Sequence, residues 1–152
     1  MKDIKIMSLF RVLNESSTSY KDPIFGTMNY KHNWNKSETF TLLGKKYKLE
    51  VAVQAYNGKP INSEEQKSYK YIKENWPALQ KPIARSLLKF AKECNQKVYT
   101  EKDISKIIEP RIILFQLNGN AYLLFDCAWD AENDISVQIY PDIKLVNQQC
   151  FL

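Results

Sequence analysis

Lys46-Tyr47-Lys48-Leu49-Glu50-Val51-Ala52-Val53-Gln54-Ala55 decides the fold class of this chain. Tyr47, Leu49, Val51, Val53 and Ala55 alternate with Lys46, Lys48, Glu50, Ala52 and Gln54. A period of two places one set on a buried sheet face and the other toward water, so the segment reads as a half-buried strand. Immediately before it, Thr39–Leu43 and a turn at Gly44 complete a hairpin, and Gly26–Tyr30 supplies a further strand after the turn at Asp22-Pro23. Asn57-Gly58-Lys59-Pro60 closes this N-terminal meander.

The middle of the chain changes period. Ser63-Glu64-Glu65-Gln66 has capping-box spacing, with the Ser63 hydroxyl and the Gln66 side chain satisfying each other's backbone amides. The two glutamates favour the positive end of the helix dipole. Pro77 biases Trp76 away from helical geometry, which ends this helix near Asn75. Leu79, Ile83, Leu87, Phe90, Ala91 and Cys94 recur at three- and four-residue spacing and predict a second helix, with Cys94 in the core. Pro82 sits in its first turn or kinks it. A short third helix begins at Thr100-Glu101-Lys102-Asp103 and stops before Pro110.

Strands return after the helices. Arg111–Leu117 and Ala121–Phe125 flank Asn118-Gly119, a two-residue hairpin signal. Ile135, Val137 and Ile139 alternate with polar neighbours, and Pro141-Asp142 turns the chain into Ile143–Val146. The order strands, helices, strands predicts an α+β fold. In it, N-terminal and C-terminal meanders form an antiparallel β-sheet with two to three helices on one face. A length of 152 residues suits a single domain spanning residues 1–152, with 1–20 an N-terminal extension of uncertain structure.

Composition narrows the setting. Three cysteines at 94, 127 and 150 form no C-x-x-C pair, which points to reduced thiols and a cytoplasmic location. Lys5 and Arg11 interrupt the first apolar run and no long apolar segment follows, so neither a signal peptide nor a membrane span is expected. Residues 30–106 carry 16 Lys/Arg against 8 Asp/Glu, whereas residues 107–152 carry 2 against 6. Such a split suits solvated Lys-rich helices, two different partners, or two regions facing each other.

The densest chemistry lies in Asp126-Cys127-Ala128-Trp129-Asp130-Ala131-Glu132-Asn133-Asp134. Four carboxylates between two strands offer oxygen ligands for a hard cation, but the EF-hand spacing is absent and a metal stays an open question. The plainer reading has Asp126 and Asp130 bracing a turn through backbone amides. A third has Asp126, Trp129, Asp130, Glu132 and Asp134 forming a partner-binding edge, with Trp129 as its aromatic anchor. Trp76 reads as core.

Enzyme signatures are missing. His32 is the only histidine and lies in a polar loop; no G-x-S-x-G elbow, zinc-ligand set or phosphate-binding glycine loop occurs. No catalytic residue and no cofactor are expected. Lys67, Lys70, Lys73, Lys81, Arg85, Lys89 and Lys92 form a basic run with Tyr69 and Tyr71 among them. Glu74 and Glu93 dilute that run and arginine is scarce, which argues against nucleic acid as a partner.

Phe125-Asp126-x-x-Trp129-Asp130-x-Glu132 followed by an alternating strand resembles the C-terminal signature of a group of small bacterial domains of unknown function. Asp22-Pro23-Ile24-Phe25-Gly26-Thr27-Met28-Asn29-Tyr30, Trp34 and Leu43-Gly44-Lys45-Lys46-Tyr47 are similar to its N-terminal half. Glu64-Glu65-Gln66 through Asn75-Trp76 is similar to its helical middle, so the resemblance covers residues 22–149. The chain departs from the pattern at Asp134 and at Val146-Asn147, where the similar domains often have Gly and Val-Gly. That group is often associated with immunity proteins of polymorphic toxin systems. The resemblance therefore implies a non-catalytic, protein-binding domain whose partner is a cognate toxin. The alternative from the residues themselves is a small-ligand or divalent-cation-binding domain built on Asp126–Asp134.

Overall fold

The computed structural model describes residues 18–95, 97–128 and 135–147. Eight strands form one sheet in sequence order: β1 (Thr18–Asp22), β2 (Gly26–Lys31), β3 (Asn33–Leu42), β4 (Lys45–Val53), β5 (Ile108–Phe115), β6 (Ala121–Cys127), β7 (Ile135–Tyr140) and β8 (Lys144–Asn147). Between β4 and β5 lie α1 (Ser63–Asn95) and the short α2 (Glu101–Ile104).

Both meanders are antiparallel, as the alternation and turn signals predict, but β4 pairs with β5 in parallel, Val51 opposite Ile113. The expected all-antiparallel sheet is corrected at this one seam. A parallel neighbour requires the chain to cross from the end of the sheet where β4 finishes to the end where β4 began, and α1 provides that crossover. β1 also includes Thr18, Ser19 and Tyr20, the end of the stretch read as an N-terminal extension of uncertain structure. Tyr20 and Asp22 turn inward along it while Ser19 and Lys21 stay exposed.

The β3–β4 turn shows how local chemistry sets register. Leu43 and Gly44 both have positive φ, 55° and 75°. That is the primed turn whose twist matches a hairpin. Leucine tolerates the left-handed conformation here because its side chain is buried in the core.

α1 is a single helix of 33 residues, about 50 Å long at 1.5 Å per residue. The expected break at Pro77 does not occur. Tyr69, Ile72, Trp76, Leu79, Ile83, Leu87 and Ala91 form one uninterrupted buried stripe across both prolines. Trp76 also donates its indole N–H to the Thr41 carbonyl at 2.7 Å. Packing along the whole stripe outweighs the roughly 3 kcal/mol that an interior proline costs. The stripe ends at Ala91: Lys92, Glu93 and Cys94 are exposed, so Cys94 is not the core residue its spacing predicts. The last turn of α1 extends beyond the core.

The cap differs from expectation by one residue. Asn62, not Ser63, precedes the helix, and its Oδ1 accepts the Glu65 backbone N–H at 2.8 Å. Glu65 Oε1 in turn accepts the Asn62 N–H at 3.2 Å, so the box is Asn62/Glu65. Asn62 Nδ2 also donates to the Leu117 carbonyl at 2.9 Å, tying the helix start to the β5–β6 connection. That connection is longer than the expected Asn118-Gly119 pair, with Gln116 N donating to Asn120 O and Gly119 N to Gln116 O.

Candidate functional site

α1 covers one face of the sheet, where Met28, Trp34, Leu49, Val51, Val53, Ile113, Leu123, Phe125 and Val137 join its buried stripe. Strand alternation sends the intervening residues to the opposite face. On that outer face the register aligns one row across six strands: Ser37, Glu50, Ile112, Leu124, Ser136 and Val146. The row changes from exposed Ser37 and Glu50, through half-buried Ile112 and Leu124, to buried Ser136, whose hydroxyl donates to the Val146 carbonyl.

The polar end of this face holds an open hollow of about 730 Å³, lined by Asn29, Lys31, His32, Asn33, Asn35, Lys36, Ser37 and Glu50. His32 forms its tip with φ of 70°, a left-handed conformation that L-residues seldom adopt. Asn35 holds that tip: its Nδ2 donates to Asn33 O at 2.6 Å and to Lys31 O at 3.3 Å, the carbonyls on either side of His32. The lining offers amide donors and acceptors with charges of both signs. Such a surface can read an extended polar segment by hydrogen bonding.

Asp126 lies on the same face, opposite Glu109 and one pleat from Leu124. It is exposed, and both its oxygens accept from Arg111 Nη1 at 3.2 Å. Arg111 is the extra residue of a bulge between Pro110 and Ile112, so the irregularity in β5 sets this pair. Trp129, Asp130, Glu132 and Asp134, the other residues of the expected partner edge, lie outside the described residues. Among the described residues no group of three or more His, Cys, Asp or Glu could hold a metal ion.

A second set of polar groups, which spacing alone did not reveal, lies beneath α1. Asp22 is buried and accepts from Tyr20 OH at 2.5 Å, from the Ile24 and Phe25 amides at 2.9 Å, and from Gln66 Nε2 at 2.8 Å. Burial pushes its carboxyl up, but the Tyr20, backbone and Gln66 hydrogen bonds outweigh it and hold Asp22 below the usual carboxylate range. Glu65, also buried, has no partner for Oε2. Burial pushes its carboxyl up to about 7, and the Asp22 charge adds to the rise. Next to these, Tyr69 OH donates to Glu38 Oε1 at 2.6 Å, while Lys36 and Lys73 both pair with Glu38. Desolvation lowers both lysines and raises the Tyr69 phenol to about 12. These bonds fasten β1 and β3 to the first turns of α1. The only sequence sign of them was Asp22 ahead of Pro23.

A helix-backed, eight-stranded sheet whose outer face is polar at its β2–β3 end is thus the class of domain defined here. The chain belongs to the family described as Domain of unknown function (DUF6985), whose model matches residues 24–148. That match covers nearly the whole stretch over which the motifs carry a resemblance. No curated protein matches the chain. No solved structure matches it. No helix among the described residues is long and apolar enough to cross a membrane.

Proposed function

We propose that this domain works by binding another protein through the sheet face turned away from α1, and that the partner is a bacterial toxin domain which it neutralises. The observation that supports this reading is the single outer surface shared by the His32 hollow and the Arg111–Asp126 pair. β3 and β6 are three strand spacings apart, about 14 Å. Asp126 lies four residues along β6 from Tyr122, which is in register with Asn35, a further offset of about 13 Å. The combined offset of about 19 Å is within the footprint of one partner. Inhibition by occlusion needs complementary shape and charge and no chemistry from the inhibitor. The toxin part of the proposal comes from the resemblance of the Phe125–Glu132 motif.

The test begins with capture of partners by the tagged chain from its native host, followed by titration of the purified partner. Asn29→Lys combined with Glu50→Lys on the outer face is expected to weaken binding at least tenfold, and co-expression of the wild-type chain to relieve the partner's toxicity. Unchanged affinity in that variant, with the fold intact by circular dichroism, would reject the outer face. A partner without toxicity would reject the immunity role while leaving protein binding in place.

A further inference from the structure

We infer that the outward side of α1 is a nucleic-acid-binding surface that grips phosphates through Lys67, Lys70, Lys81, Arg85, Lys89 and Lys92, without reading base sequence. The inference depends on the helix being unbroken. Were the chain to bend at Pro77, Lys67 and Lys70 would sit on one helix and the other four cations on another. In the single helix Ser63–Asn95 they belong to one uninterrupted element. At 100° per residue all six fall within an arc of about 100°, on the side opposite Trp76. From Lys67 to Lys92 the row runs about 37 Å.

Every one of the six is exposed, and none lies within ion-pair distance of a carboxylate among the described residues. Structure also weakens the dilution seen in the sequence. Lys73 turns aside to Glu38, and Glu93 projects to the flank, which leaves Glu74 as the one carboxylate within the arc. From Lys81 onward the cations recur at each helical turn, about 5–6 Å apart.

Three polyanions could meet such a row, and the residue chemistry selects among them. A membrane-surface helix inserts its apolar face, but the apolar face of α1 is already buried against the sheet. Protein interfaces are depleted in lysine and enriched in arginine and aromatic anchors, whereas five of these six cations are lysines. Phosphate binding by point charges is what lysine does well. The surface lies on the opposite side of the domain from the proposed protein-binding face, so either can fail without the other.

The test is fluorescence anisotropy of a labelled 30-base-pair DNA duplex titrated with the full chain at several salt concentrations. If four of the cations contact phosphates, affinity should fall about 150-fold between 50 and 200 mM salt. Lys81→Glu, Arg85→Glu and Lys89→Glu combined should weaken binding at 50 mM salt more than tenfold and flatten the salt slope. Gln at the same positions should do so more mildly, which guards against misfolding of the reversed variant. Lys46→Glu, Lys48→Glu and Lys102→Glu combined make the same charge change elsewhere and should have little effect. No binding at 50 mM salt, or equal losses in the two triple variants, would overturn the assignment. Binding to phosphatidylserine vesicles without binding to the duplex would overturn it in favour of a membrane surface.

Discussion

Asn62 and Glu65 bond each other reciprocally at the start of α1, side chain to backbone in both directions, at 2.8 and 3.2 Å. This pair satisfies two helix-terminal amides, and Asn62 reaches on to Leu117 in the β5–β6 connection. The crossover helix is therefore anchored to the C-terminal meander through its cap residue.

Asn62→Ala should destabilise the domain by about 1–2 kcal/mol, the cost of a lost N-cap. Asn62→Asp retains the cap but not the amide donor to Leu117, so it should recover most of the loss. Urea denaturation of the three proteins measures the difference, and an unaffected midpoint in the Ala variant would show that the cap contributes nothing.

Glu65 gives the cap a pH dependence. Its folded pKa, about 7, is above the ordinary value of 4.5. Below both values the group is protonated in folded and unfolded chains and costs nothing by this route. As pH rises from 4.5 to 7 the unfolded chain releases the proton first, so stability falls, by about 3 kcal/mol once pH exceeds 7. Glu65→Gln, which can still serve in a capping box, should therefore gain stability relative to wild type at pH 8 and lose that advantage by pH 5. Thermal melts at both pH values check it; a pH-independent difference would place the buried carboxyl's cost elsewhere.

Gly119 faces the same helix end. It is buried at φ of 91°, and a Cβ built there would lie 2.9 Å from the Glu64 carbonyl oxygen. Gly119→Ala combines a strained backbone with a collision against a fixed carbonyl, and should cost about 2–4 kcal/mol. Equilibrium unfolding of this variant should show one of the larger losses available to a single added methyl group.

Pro77 lies exposed inside α1 and leaves the Lys73 carbonyl without its helical N–H partner. Pro77→Ala restores that bond and should raise stability by about 1 kcal/mol, part of the gain being offset by the looser unfolded chain. A fall in melting temperature would mean that the proline shapes α1 to fit the sheet.

The strands carried their own signals. Alternation in Tyr47–Val53 and Ile135–Ile139 marks the core-facing side of β4 and β7, and Gly44 marks a hairpin turn whose geometry glycine favours. In the site, Asp126 at the end of β6 was legible from the sequence. The His32 hollow was not, because Asn29, Asn35 and Glu50 are distant or unpatterned residues that converge only through strand register. The Tyr20–Asp22–Gln66 contacts were hidden for the same reason: 44 residues separate Asp22 from Gln66.

By itself the sequence determined the strands of the two meanders and the helical stretch between them, since period and turn residues act within a few positions of one another. Tertiary structure decided how those elements were used. It continued α1 without a break through two prolines because a buried stripe lies on both sides of them. It moved the cap from Ser63 to Asn62, where the side chain can also reach Leu117, and left Cys94 in solvent beyond the end of the core. It also brought β5 alongside β4 in parallel, because a helix of 33 residues carries the chain back across the sheet to the end where β4 began. Each of these outcomes depends on contacts between residues far apart in the chain, where the free energy of packing exceeds the local preference it overrides.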